Sequence, residues 1–100
     1  MEEDLYLTRL YDCYSKLLTD KQREYFEDYY FNNLTLTEIS ENNNVSRNAV
    51  HKQLKEVNSK LEDFELKLKI YEKNNKLNEL IKYVDNDIKI KLEEIINLNN

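Results

Sequence analysis

Glycine, proline and tryptophan are absent from this chain of 100 residues, and cysteine and histidine occur once each. Each absence excludes a class. The tight turns of β-sandwiches and barrels lean on glycine and proline, so an all-β architecture is excluded. The glycine-rich loops that cradle phosphate in P-loop and dinucleotide-binding proteins go with it. Cys13 has no second thiol in the chain to pair with, which points to a reducing compartment and hence to a cytoplasmic protein. A zinc site needs three or four ligands at defined spacing, whereas Cys13 and His51 each stand alone, so no metal or other cofactor is expected. No stretch approaches 18 consecutive apolar residues, so no membrane insertion is expected. The opening Met1-Glu2-Glu3-Asp4 lacks the basic-then-apolar order of a secretory signal.

What remains is an acidic, charge-rich chain with a formal net charge of −5 and 40% apolar residues, enough for a modest core. The charge is unevenly placed. Residues 1–46 hold ten acids and four bases, whereas residues 47–100 hold eleven bases and ten acids. A typical nucleic-acid binder is basic throughout. Here any such contact has to be a local patch.

Apolar residues recur at helical spacing along the whole chain. Leu5, Tyr6, Leu10, Tyr14, Leu17 and Leu18 predict an amphipathic helix over residues 4–18. Thr19-Asp20-Lys21-Gln22 matches a capping box, opening a second helix to about Phe31 that ends at Asn32-Asn33. Thr35-Leu36-Thr37-Glu38 is a second capping box and opens a short helix to about Asn42. Asn42-Asn43-Asn44 supplies the turn, since asparagine enters the left-handed region more readily than other side-chain-bearing residues. Ser46 then caps the next helix. From there Val50, Leu54, Val57, Leu61, Phe64, Leu68 and Tyr71 form a heptad stripe, predicting one helix over residues 47–73, roughly 40 Å long. Asn74-Asn75 predicts a weak interruption, followed by a helix with Leu77, Leu80, Ile81 and Val84. Asp85 caps a last helix with Ile88, Leu92, Ile95 and Ile96, and the tail over residues 97–100 is expected to fray.

Residues 36–55 carry the most information. A short helix, a tight turn and a Ser-capped second helix make a helix-turn-helix. Ile39, Val45, Val50 and Leu54 are expected to lock the two helices together, with small Ser40 where they cross. With Val50 and Leu54 facing inward, Arg47, Asn48, His51, Lys52 and Lys55 share the outer face. In a DNA-binding unit that face enters the major groove, where Arg reads guanine, Asn reads adenine and Lys meets phosphate. A solvated face without a partner is the plainer alternative, and the few cations predict weak nonspecific affinity.

In order and spacing, a set of segments resembles the YlxM family over roughly residues 5–73. They are Leu10-Tyr11-Asp12, Leu17-Leu18-Thr19-Asp20-Lys21-Gln22-Arg23-Glu24-Tyr25, Tyr29-Tyr30, residues 34–41, residues 45–50, Leu61-Glu62-Asp63-Phe64-Glu65 and Lys67-Leu68. Its members are small bacterial proteins with a helix-turn-helix similar to region 4 of sigma factors. They are associated with the signal recognition particle pathway through gene neighbours, the particle's GTPase and its receptor. The resemblance implies an accessory or regulatory role there, with the particle's GTPase or its RNA, or both, as partners.

Other features read as structural. Cys13 lies in an apolar stripe and is expected to be a small buried hydrophobe rather than a nucleophile. The tyrosines sit beside leucines at helical spacing, which favours packing over base stacking. The stripe from Leu61 to Tyr71 is free, on this reading, either to dock on the C-terminal helices or to form a seam with a second copy.

The fold expected is therefore all-α. Residues 1–56 are read as a helix-turn-helix domain resembling sigma region 4. Residues 57–100 are read as the long-helix continuation and a short C-terminal helical segment, serving as a dimerisation or docking arm. No catalytic constellation is visible, and the chain reads as a binding module rather than an enzyme. The alternative function is a sequence-specific DNA-binding transcriptional regulator.

Overall fold

Helix starts are set by side chains that accept free backbone N–H groups. Thr19 and Gln22 satisfy each other's amides at 3.2 and 3.0 Å, and Thr35 and Glu38 do the same at 3.1 Å each way. Ser46 accepts from the Ala49 N–H at 3.0 Å, and Asp85 from the Ile88 N–H at 3.0 Å. Each such cap contributes about 1 kcal/mol. The computed structural model describes residues 2–99, and its regular elements are all helical. They are α1 (Glu2–Tyr14), α2 (Asp20–Tyr30), α3 (Leu36–Asn43), α4 (Arg47–Leu68), α5 (Ile70–Ile81) and α6 (Asn86–Ile96), with 3-10 turns at Ser15–Leu17 and Asn97–Asn99. The tail takes a 3-10 turn over Asn97–Asn99, and Asn100, the last residue of the stretch expected to fray, lies outside the described residues.

Without glycine, helix ends fall on residues that carry a Cβ in the left-handed region. Asn33, Asn44 and Lys69 have φ of 56°, 54° and 55°. Asn44 closes α3 in a Schellman arrangement. Its N–H reaches the Glu41 carbonyl at 3.4 Å, and the Val45 N–H reaches the Ser40 carbonyl at 3.1 Å. This is the expected turn of the helix-turn-helix.

Two clusters of buried residues share α4. Leu10, Tyr14, Leu18, Phe26, Val57 and Leu61 belong to the first, which joins α1 and α2 to the middle of α4. Tyr11 stacks on Phe26 there, with ring centroids 4.4 Å apart. Tyr25, Ile39, Val50 and Leu54 form the second, which locks α3 against the start of α4. Burying each large side chain contributes about 1.5–3 kcal/mol relative to leaving it in water.

Several expectations are corrected. The helix over residues 47–73 is two helices, broken where Lys69 turns left-handed. The heptad stripe survives the break because Phe64, Ile70 and Tyr71 pack on the first cluster, so most of the 61–71 stripe is used within the chain. It is not a free seam. Asn74-Asn75 interrupts nothing and lies inside α5. The first helix ends at Tyr14, and Leu5 and Leu17 are exposed, whereas Leu7 is buried. Val45 stays 39% exposed. The bend closes instead on Tyr25 from α2, supported by Leu34 and Leu36.

A clasp holds the α4–α5 elbow. The Tyr14 hydroxyl donates to Glu65 Oε1 at 2.5 Å and accepts the Ile70 N–H at 3.0 Å. Glu65 also accepts the N–H groups of Tyr71 and Glu72 at 3.0 and 3.1 Å. A carboxylate from α4 therefore caps α5, where helix geometry leaves N–H groups free and favours negative charge.

Candidate nucleic-acid interface

The buried stripe of α4 fixes which of its residues face out. At 3.6 residues per turn, Asn48, Lys52, Lys55 and Ser59 lie within about 40° of the direction opposite Val50. His51 lies to one side, and Arg47 on the flank at the first turn. Arg47, Asn48, His51, Lys52 and Lys55 are all exposed. The structure thus brings Asn48, Lys52 and Lys55, with His51 beside them, to the outer side of the second helix of the motif, whereas Arg47, exposed at the first turn, stands about 60° from Val50 and so nearer the buried stripe. Among the described residues, ion pairs form at Lys21–Glu24, Arg23–Asp20, Lys67–Asp63, Lys76–Glu72 and Lys82–Glu79. None engages Arg47, His51, Lys52 or Lys55, so their donors remain available.

Two residues were missed. Ser59 continues the outer line, and Lys60 joins it at the edge of a shallow trough that His51, Lys52, Lys55 and Glu56 also line. The signal was present: Ser59 stands four residues after Lys55 and seven after Lys52, on the same helical row. Exposed Glu56 already sets one carboxylate among these cations, and beyond Ser59 the sign reverses at Glu62 and Asp63, so the mainly cationic face is about three turns long. Exposed Glu38 and Glu41 on α3 are anionic neighbours in the same motif. A polyanion can therefore approach α4 but gains nothing by spreading over α3.

The family model of YlxM / p13-like helix-turn-helix proteins, UPF0122, matches residues 1–100. The chain belongs to the UPF0122 family. One UPF0122 protein, from Fusobacterium nucleatum, is 42% identical over 97 residues, covering 96% of this chain and 94% of the relative. Another, from Malacoplasma penetrans, is 47% identical over 83 residues, covering 82% and 78%. A third, from Ureaplasma urealyticum, is 44% identical over 91 residues, covering 90% and 92%. The expected resemblance is therefore shown, and the match extends past residue 73 to the C-terminal helices.

Elsewhere this UPF0122 chain offers little chemistry. Cys13 is half-buried against the first cluster, and its thiol is pushed up by burial and then by Glu65 and Asp12, which keeps it protonated. Tyr11 and Tyr14 are raised by burial first, and next by hydrogen bonds to Glu27 and Glu65 respectively. Their phenols act as structural donors. Among the described residues, no group of three His, Cys, Asp or Glu side chains is placed to hold a metal ion. Nor is any helix among them long and apolar enough to cross a membrane.

Proposed function

We propose that the chain is a non-enzymatic helix-turn-helix binding module that acts as an accessory or regulatory protein of the signal recognition particle pathway. Its contact is the outer face of α4. The observation that carries the reading is the placement of Arg47, Asn48, His51, Lys52 and Lys55 on the second helix of the motif, exposed and unengaged by ion pairs. Family membership supports the pathway, by what the YlxM resemblance implies, and so favours the particle's RNA, its GTPase, or both as partners. The short cationic stretch suits a contact with few phosphates, such as one that adds to a protein surface, better than one that tracks a long duplex.

A second reading is a sequence-specific DNA-binding regulator in the cytoplasm. It is favoured by Arg47 and Asn48 in the first turn, where such motifs read base edges.

The test is fluorescence anisotropy with labelled chain against the particle's RNA, its GTPase, the assembled particle and duplex DNA. Three cations releasing counterions predict a loss of about 40-fold in nucleic-acid affinity between roughly 50 and 200 mM salt. Lys52→Glu should abolish that component and leave thermal stability unchanged. Binding to the assembled particle that is lost with Lys52→Glu supports the first reading. Tight, sequence-dependent binding to duplex DNA alone supports the second. Indifference of every probe to Lys52→Glu refutes the assigned face.

A further inference from the structure

The helical hairpin of α5 and α6 is built like the inside of a protein and placed like the outside. No side chain described in either helix is fully buried. Leu80 is 47% exposed, Ile88 48% and Tyr83, at the turn between the helices, 81%. Ile95, on the same row of α6 as Ile88, is exposed as well, while exposed Ile90 lies on the opposite side of that helix. The hairpin is anchored at its base, where Ile70 and Tyr71 meet the first cluster, and its far side has no partner among the described residues. At 11 and 12 residues, its helices are too short to hold their shape in water on local hydrogen bonds alone.

We propose that a second copy of this chain covers that face, the two hairpins packing into a symmetric four-helix bundle. Area supports a partner of this size. A globular chain of 12.2 kDa is expected to expose ~6,100 Å². This one exposes 7122 Å² and is drawn out to 53 × 25 × 24 Å. The excess of roughly 1,000 Å² matches the ~800 Å² that each partner of a stable complex contributes. Charge selects the kind of partner. Residues 69–100 hold six lysines and six acidic residues, so the chain's whole excess of −5 resides in residues 1–68. Two neutral, apolar-striped hairpins meet without net repulsion, whereas a neutral surface offers a polyanion no counterion release. An antiparallel αα pair from each copy, related by a two-fold axis, is a common way to complete a four-helix core. The helix-turn-helix face is not needed for this contact, so the dimer stands or falls independently of the nucleic-acid reading.

Sedimentation equilibrium of the purified chain from about 2 to 200 μM tests it. The expected mass is twice 12.2 kDa at the upper end. Ile88→Lys combined with Ile95→Lys should return the single-chain mass throughout. Leu17→Lys, equally exposed but remote from the hairpin, should not. Because the double variant could unfold its own hairpin, hydrogen exchange of the unaltered chain supplies the second measurement. Amides of residues 70–96 should exchange at least tenfold more slowly at 200 than at 2 μM, while those of α3 are unchanged. A mass of 12.2 kDa at every concentration overturns the proposal, even if some other protein occupies the face. So does a dimer that survives the double variant, or exchange in α5 and α6 that ignores concentration.

Discussion

Replacing Glu65 with alanine should unlatch α5 from α4. In the folded chain this carboxylate accepts the Tyr14 hydroxyl and two backbone N–H groups at the start of α5, all within 3.1 Å. Three losses follow. The cap itself is worth about 1 kcal/mol. The favourable meeting of negative charge and helix N-terminus adds about 0.5–1 kcal/mol. Tyr14, which is buried, keeps its hydroxyl but loses the acceptor, at about 1–2 kcal/mol. Together these predict destabilisation of about 3 kcal/mol, or a fall in Tm of roughly 15 °C for a domain of this length. Urea unfolding followed by circular dichroism at neutral pH measures it. Glu65→Gln retains an acceptor without the charge and should lose about half as much. In a cycle with Tyr14→Phe, the coupling should be about 1–2 kcal/mol, because the two side chains share one hydrogen bond. A loss below about 0.5 kcal/mol for Glu65→Ala is the ordinary range for an exposed side chain and would refute the clasp.

Other outcomes follow from the same structure. Leu61→Ala, at a fully buried position shared by α1 and α4, should cost about 3 kcal/mol in the same unfolding assay. Lys69→Gly should raise Tm by a few degrees, since a lysine at φ 55° carries about 1–2 kcal/mol of left-handed strain that exceeds the glycine's entropic cost. Asn44→Val should lower stability by about 1–2 kcal/mol in the same measurement, because a β-branched residue fits φ 54° poorly. Tyr11 and Tyr14 hold their protons more tightly when folded than the ordinary 10.0. Their contribution is therefore fully present below about pH 10 and is lost as pH rises through and beyond it. Urea midpoints that stay level from about pH 8 to 11 would contradict that sign.

Local chemistry was legible in the sequence, and long-range compensation was not. Both capping boxes, Ser46, Asp85 and the asparagine turn at residue 44 depend on neighbours within a few positions, and each stands where the sequence put it. The break at Lys69 left no trace, because lysine is an ordinary helix residue. The joint is held by Tyr14 and Glu65, side chains 51 residues apart. Tyr25 closes the bend in place of Val45 for a similar reason, since its partner helix is set by packing from α2 rather than by spacing within the motif. The outer face of α4 was readable because Val50 and Leu54 fix its rotation. Its extension to Ser59 continues the row of Lys52 and Lys55 one turn past the end of the motif, with Lys60 at its edge. The openness of the hairpin could not be read at all, since Ile88 and Ile95 look the same in sequence whether their neighbours come from their own chain or another.

One helix belongs to both clusters of the interior, and that has a mechanical meaning. The 22 residues of α4 form a beam about 33 Å long, with the cationic stretch along its first half and the elbow at its far end. Pivoted at its middle, such a beam turns a tilt of about 5° at the grip into a displacement of roughly 1.5 Å at Leu68. A force applied at the cationic stretch would thus arrive as motion where the hairpin begins.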